Sequence, residues 1–412
     1  MTDLGEGPDI DVAVIGGGPS GLAAATELKR HGIARVVVLE REPVAGGIPR
    51  HCGHPPFGWR EFRRILTGPQ YARKLVSAAL KAGVEIHTDT SVAAIKPGPC
   101  LTLATPEGVR DITASRVIYA TGVRETPRAA RLVSGVRARG ILNTGALQSL
   151  VYLEGRRPFL RPLIVGTELV SFSAIQTCRH AGIRPVAMIG EGATTVARWP
   201  AGLFPKLTGI PLHLQTRLVR INGGETVTSA TVEGPDGQRD IPCDGVLLTG
   251  AFTPESGLGR SGHLQMDRGT GGPVVDQFGR CSDPRYYAAG NLLRPVETAG
   301  WSWQEGRETG LRVARDLVGT QPPAQRQIHV VTQEPLIRLV MPQRISLPLS
   351  PRGMEALQVR FTAPARGFIE VYADGALAWS KPVDVRPERR FLIPLAGLTE
   401  SHTNVLELRF TK

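Results

Sequence analysis

The stretch Asp11-Val-Ala-Val-Ile15 running into Gly16-Gly17-Gly18-Pro19-Ser20-Gly21 decides the fold. An apolar run, then glycines, then small helix-forming residues predicts a buried strand, a tight turn and a helix start. Gly16 permits the turn, Gly18 lets the backbone approach a pyrophosphate, and Gly21 lets the helix lie against its strand. Phosphates over such a helix N-terminus meet unpaired amides and the positive end of the helix dipole, here with Pro19 and Ser20 in the first turn. A second apolar run, Val36-Val37-Val38-Leu39, ends in Glu40 and Arg41, with the acid at the spacing that binds ribose hydroxyls. Strand, turn, helix and acid in this order predict a dinucleotide site.

Outward from this core, helix signals cover residues 21–31 and 71–82, while 84–87 and 116–120 read as strands. The last strand ends in Ala120-Thr121-Gly122, small residues at the carboxyl edge where open parallel sheets bind ligands. A second strand, turn and helix unit starts at Leu163-Ile164-Val165-Gly166 and repeats the first, so the dinucleotide fold is duplicated. Another strand ends at Gly290-Asn291, and a helix is predicted from about Ser302 to Val318 because Ser302-Trp303-Gln304-Glu305 has capping-box form. Past Gly319 the texture alternates: strands are expected at 357–361, 368–373, 377–385, 391–395 and 405–410, with Asp374-Gly375 as a hairpin turn. The expected fold class is α/β, two Rossmann-like folds followed by a small all-β, sandwich-like domain without a chemical constellation of its own.

Composition narrows the functional classes. The chain has 412 residues and a net charge of +12, spread along its length, with only 5% aromatic residues. Dispersed charge without stacking aromatics argues against nucleic-acid binding. No apolar run approaches the roughly 20 residues of a membrane span. The residues from Met1 to Asp11 carry no signal-peptide pattern, so a cytoplasmic location is expected. Five cysteines (Cys52, Cys100, Cys178, Cys243, Cys281) stand singly, which argues against a zinc site, an iron-sulfur cluster or a local redox disulfide.

The loop at Gly16–Gly21, Glu40, Ala120-Thr121-Gly122 and Ala288-Ala289-Gly290-Asn291 together resemble the two-dinucleotide-fold flavoproteins of the pyridine nucleotide-disulfide reductase superfamily over about residues 10–319. The resemblance implies FAD in the first fold. Its contacts would be Gly16, Gly18, Pro19, Ser20, Gly21, Glu40, Arg41, Gly47, Ala120, Thr121, Gly122, Gly290, Asn291, Thr298 and Ala299. Asn291 stands where the family places an aspartate on the flavin ribityl chain, and an amide still donates and accepts there. The segment from Thr298 to Trp301 would bring a helix N-terminus to the flavin pyrimidine ring. The expected division is 1–127 and 251–322 for the FAD domain, 128–250 for a degenerate NAD(P)-type domain, and 323–412 for the β domain. A narrower likeness, carried by residues 46–58 and 66–72, is to the NADH-oxidase-like and opine or hydroxyproline dehydrogenase FAD subunits, which pair with a second flavin-containing dehydrogenase chain.

The second glycine turn reads Gly166-Thr167-Glu168-Leu169-Val170-Ser171. Glu168 replaces the glycine that lets backbone meet pyrophosphate, and Ser171 replaces the packing glycine. A carboxylate there repels phosphates or occupies the helix N-terminus itself, so NAD(P)H binding is expected to be impaired.

The candidates for chemistry are His51, Cys52 and His54. Cys52, beside Arg50 and two histidines, reads either as a stabilised thiolate reaching the flavin or as a buried small hydrophobe in a structural loop. Metal binding is not expected. Trp199 and Trp303 read as packing residues, Trp301 as closer to the flavin helix, and the arginines at 124, 128, 131, 137 and 139 as a solvated face. The expected function is an FAD-dependent oxidoreductase subunit of a hetero-oligomer. It would exchange electrons with a partner flavoprotein that oxidises a small amino acid, opine or hydroxy acid. The alternatives are a stand-alone NAD(P)H-dependent flavoenzyme using Cys52 and a non-catalytic docking subunit that keeps FAD for stability.

Overall fold

The computed structural model describes residues 9–197, 200–295, 297–322, 325–350, 352–387, 389–399 and 402–412. The opening stretch folds as its pattern dictates. Strand Ile10–Ile15 is followed by helix Pro19–Arg30 and strand Val36–Leu39. Val12 and Val14 point to one face, among Leu22, Leu75 and Val313, while Ala13 and Ile15 point to the other, among Leu101, Tyr119 and Val275. Both faces are apolar because both are covered, as a parallel sheet requires.

Parallel strands run in the order Glu85–His87, Val36–Leu39, Ile10–Ile15, Gly108–Tyr119, Tyr286–Ala288. The second parallel sheet repeats this order with Leu212–His213, Ala187–Ile189, Pro162–Val165, Gly245–Leu248 and Ile141–Asn143. Each sheet carries an antiparallel meander absent from the sequence reading: Ser91–Lys96 with Cys100–Thr105 on the first, and Arg217–Gly223, Val227–Gly234 and Gly237–Pro242 beside the second. Strand Val123–Glu125 pairs with Phe252–Pro254 where the chain crosses between the sheets.

The C-terminal residues form a sandwich of a five-stranded and a three-stranded sheet around Ile328, Phe361, Val371 and Leu406. The five strands read from sequence are present at Ala356–Phe361, Ala365–Ala373, Ala376–Val385, Phe391–Pro394 and Val405–Thr411. Three more, Arg326–Thr332, Ile337–Met341 and Arg344–Leu347, precede them. The Asp374-Gly375 turn has φ of 46° and 91° at its two residues, as a tight hairpin needs. Among the described residues no helix is long and apolar enough to cross a membrane.

Candidate functional site

A cavity of about 1820 Å³ runs along the carboxyl edge of the first sheet and reaches the second. Gly16, Gly18, Pro19, Ser20, Glu40, Arg41, Gly47, Ala120, Thr121, Gly122, Asn291, Thr298 and Ala299 line it, together with His51, Cys52 and His54. Gly21 and Gly290 stand behind the lining. A Cβ on Gly21 would lie 1.9 Å from the Gly16 carbonyl oxygen, so only glycine lets this helix approach its strand. Gly16 has φ of 108°, and a Cβ there would meet the Ala120 carbonyl oxygen at 2.6 Å.

The residues present fit a dinucleotide. The helix Pro19–Arg30 starts from an extended Gly18 with no side-chain cap, leaving its first amides open to an anion. Two lining hydroxyls, Ser20 Oγ and Ser302 Oγ, are buried without a hydrogen-bond partner. Buried polar atoms are rarely left so, and a bound ligand rich in oxygen satisfies them. Glu40 is fixed by two backbone amides: Gly17 N donates to Oε2 at 2.8 Å and Glu42 N to Oε1 at 2.9 Å. Each oxygen keeps a lone pair for a ribose hydroxyl.

Asn291 has an additional role. Its Nδ2 donates to the Glu297 carbonyl at 3.1 Å, and Glu297 N donates to its Oδ1 at 2.9 Å. Closing this loop needs one donor and one acceptor on the same side chain, which an amide offers and an ionised aspartate does not. The helix that follows spans Ala299–Leu317 with Thr298 as its N-cap, so it begins one turn before the predicted start. Glu305 is therefore interior rather than a capping residue. It accepts from Gly290 N at 3.0 Å and pairs with the buried Arg294 at 2.6 Å. Arg294 also lies 3.7 Å from Glu297, whose Oε1 accepts from Arg360 at 2.6 Å.

At the second glycine turn the Glu168 side chain folds back over the turn itself. A Cβ on Gly166 would meet Glu168 Oε2 at 2.5 Å, and one on Gly250 would meet its Cδ at 2.6 Å. Ser171 Oγ donates to Glu168 Oε2 at 3.1 Å and Thr249 Oγ1 lies 3.2 Å from it, while the helix Leu169–His180 starts immediately after. Arg131 steadies this corner by donating to the Thr249 and Gly250 carbonyls at 2.9 and 2.7 Å, which corrects its reading as part of a solvated face.

His51, Cys52 and His54 come together at the cavity wall, but the thiolate reading of Cys52 is corrected. Burial, helped by the nearby Glu125 carboxylate, pushes its thiol up to about 12. The Sγ–H instead donates to Gln148 Oε1 at 3.4 Å. Gln148 Nε2 donates to Ser173 Oγ at 2.7 Å, and Ser173 Oγ stands 2.6 Å from His54 Nε2. A hydrogen-bonded chain thus ties the Cys52 loop to two helices of the second fold. Burial and the adjacent Arg50 charge lower His51 to about 4, leaving the ring neutral near pH 7.

The sequence reading missed what the C-terminal sandwich brings. Arg360, Arg390 and Leu392 line the same cavity, so this domain does carry chemically significant residues. Trp301 lines it too, with the Arg60 and Arg390 guanidinium carbons 3.9 and 4.5 Å from its ring centre. Trp303 packs into the core beside the first helix, whereas Trp199 lies outside the described residues.

The model of an NAD(P)-binding Rossmann-like domain matches residues 14–72. An opine oxidase subunit of Agrobacterium tumefaciens (strain Ach5) is 24% identical over 317 residues, covering 68% of this chain and 61% of that protein. The alpha subunit of sarcosine oxidase from Rhizobium meliloti (strain 1021) is 25% identical over 308 residues, covering 70% of this chain and 28% of that protein. The chain thus spans less than two thirds of the length of these relatives. Thioredoxin reductase of T. acidophilum shares the fold with a TM-score of 0.64 and 21% identity, over 76% of this chain and 100% of that one. With its two glycine turns and paired parallel sheets the chain shares the two-dinucleotide fold of thioredoxin reductase, and in sequence it is similar to oxidoreductases that include opine oxidase subunits.

Proposed function

We propose that the chain is an FAD-dependent oxidoreductase subunit that exchanges electrons with a second flavoprotein chain of a heteromeric dehydrogenase acting on a small amino acid, opine or hydroxy acid. The observation that carries this reading is the contrast between the two glycine cradles: the first is open, and the second is filled by Glu168. A flavoprotein without a nicotinamide site takes its electrons elsewhere, and relatives named as subunits of opine and sarcosine oxidases support a partner chain as that source. We read 1–127 with 251–322 as the FAD domain, 128–250 as the degenerate second fold and 323–412 as the β domain.

FAD, when bound, supplies reversible electron transfer. The chain's own groups bind and orient it. The amides at the start of Pro19–Arg30 take the pyrophosphate, Glu40 takes the adenosine ribose, and Ser20 and Ser302 offer hydroxyls along the cavity. Asn291 fixes the loop whose end, Thr298, opens the helix Ala299–Leu317, and the positive end of that helix favours negative charge placed before it. His51, neutral near pH 7, offers a hydrogen bond without a charge.

The test is an absorption spectrum of the purified chain followed by anaerobic titration with NADH and NADPH. Flavin absorbance that bleaches only slowly with either nucleotide is the expected outcome. Rapid bleaching overturns the reading of Glu168 in favour of a stand-alone NAD(P)H enzyme, and a chain that neither retains nor takes up flavin overturns the cofactor assignment.

A further inference from the structure

We propose that the cavity takes a second ligand beside the dinucleotide, a small-molecule carboxylate, at the corner where Arg60 and Arg390 converge on Trp301. The inference rests on the reading of the cavity as an FAD site and adds the class of molecule that meets the cofactor's surroundings. Ligand pockets typically measure about 300–1,000 Å³. At about 1820 Å³ the cavity exceeds the upper end of that range by a wide margin, which leaves room past the dinucleotide residues.

The chemistry of this corner selects an anion. Arg60, Arg360 and Arg390 stand here, near two carboxylates, Glu61 and Glu297. Both carboxylates are already engaged, Glu61 by the Tyr71 hydroxyl at 2.6 Å and Glu297 by Arg360 at 2.6 Å. Among the described residues neither Arg60 nor Arg390 has a carboxylate within ion-pair distance. Arg60 Nη1 donates to the Gln304 amide oxygen at 2.5 Å and Arg390 Nη1 to the Gln358 amide oxygen at 3.3 Å, both neutral acceptors. Among the described residues the remaining N–H groups of the two guanidiniums have no hydrogen-bond acceptor.

Arg390 is partly withdrawn from water, and that burial presses its pKa down, the mark of a cation short of counter-charge. A carboxylate offsets this cost, and the planar guanidinium fork matches its two oxygens. Stacking on Trp301 holds both arginines before the ligand arrives, so little side-chain freedom is lost on binding. Trp59 and Leu392, 61% and 52% exposed, add apolar wall to the same cavity. A carboxylate on a short carbon chain suits that combination.

Calorimetric titration of the purified full-length chain with glutarate, and with 1,5-pentanediol as the uncharged control, tests the proposal. Saturable binding of glutarate but not the diol is expected, weakened about 10- to 100-fold in Arg390→Gln and in Arg60→Gln, as for loss of hydrogen bonds to a charged group. Arg390→Lys, which keeps the charge and loses the fork, should weaken binding less. Flavin content read from the same samples separates the two readings. Normal flavin with no glutarate binding, or with binding indifferent to both glutamine variants, overturns the carboxylate subsite and leaves the cofactor reading intact. Arginine-dependent binding in a chain without flavin supports the subsite and overturns the cofactor reading. Equal affinity for inorganic phosphate at the same arginines overturns the carboxylate assignment.

Discussion

The Glu168 carboxylate stands over Gly166, its Oε2 2.5 Å from where a Cβ on that glycine would be built. An anion tethered inside an anion cradle competes with any phosphate from solution without paying the entropy of association. On the function proposed above, the chain therefore carries its own occupant for the second nucleotide cradle.

Replacing Glu168 by glycine should open that cradle. Binding of NADH or NADPH, followed by nucleotide fluorescence, should be undetectable in the native chain up to about millimolar concentration and strengthen at least about tenfold in Glu168→Gly, since a like charge beside the phosphates is removed. Tight binding by the native chain would sink the blocked-site reading.

His51 sets a pH dependence. Its folded value of about 4 lies below the ordinary histidine value of 6.5, so the folded chain binds fewer protons than the unfolded one. The stability linked to it is therefore complete above about pH 6.5 and is lost as pH falls from there through 4, by up to about 3 kcal/mol. Denaturant unfolding between pH 7 and 4 should show this slope, and His51→Gln should flatten it.

Cys52 should resist thiol reagents. A thiol pushed up to about 12 from an ordinary value near 9 holds about a thousandfold less thiolate at pH 8. Alkylation by iodoacetamide, read by mass spectrometry on the native chain, should leave Cys52 unmodified on the timescale that labels free glutathione, and unfolding should abolish the protection.

Asn291→Asp, which restores the family's acid, should destabilise the chain. The variant loses the donor to the Glu297 carbonyl and sets a carboxylate against that oxygen, a cost of about 1–3 kcal/mol. Urea unfolding measures it directly; an unchanged midpoint would mean that the loop closes without this bond.

Breaking the buried pair of Arg294 and Glu305 should cost more. Glu305→Ala leaves a buried guanidinium with only the more distant Glu297 and removes the acceptor of Gly290 N, a loss of about 3–5 kcal/mol. Adding Arg294→Met should restore part of the loss, and a double-mutant cycle in urea gives the coupling.

What the sequence made legible was local. The Gly16–Gly21 turn, its duplicate at Gly166 and the alternating strands after residue 356 are set by residues near one another in the chain, so spacing alone reveals them. Asn291 was legible as a position but not as a loop clamp, because its partner six residues on faces it only once the loop is folded. The Ser302–Glu305 pattern misled because a serine and a glutamate three apart occur inside helices as well as at their starts, and here Glu305 faces Gly290. Arg50 and two histidines suggested a thiolate at Cys52, yet burial outweighs those neighbours. Arg360 and Arg390 reach the cavity from about 340 and 370 residues beyond the glycine turn, a separation that no periodicity bridges.

The C-terminal sandwich is bound to the rest of the chain by buried polar groups. Arg360 meets Glu297, the Gln277 amide pairs with the Ser346 backbone at 2.6 and 2.7 Å, and Asp276 receives the Ser346 hydroxyl at 2.8 Å. Detaching it would leave the Gln277 amide and the Ser346 hydroxyl without these partners, each at a cost of about 1–3 kcal/mol. Sandwich and nucleotide fold are accordingly expected to melt in a single cooperative transition. Trimming the chain to its recognisable dinucleotide core would then yield an unfolding intermediate instead of a minimal enzyme.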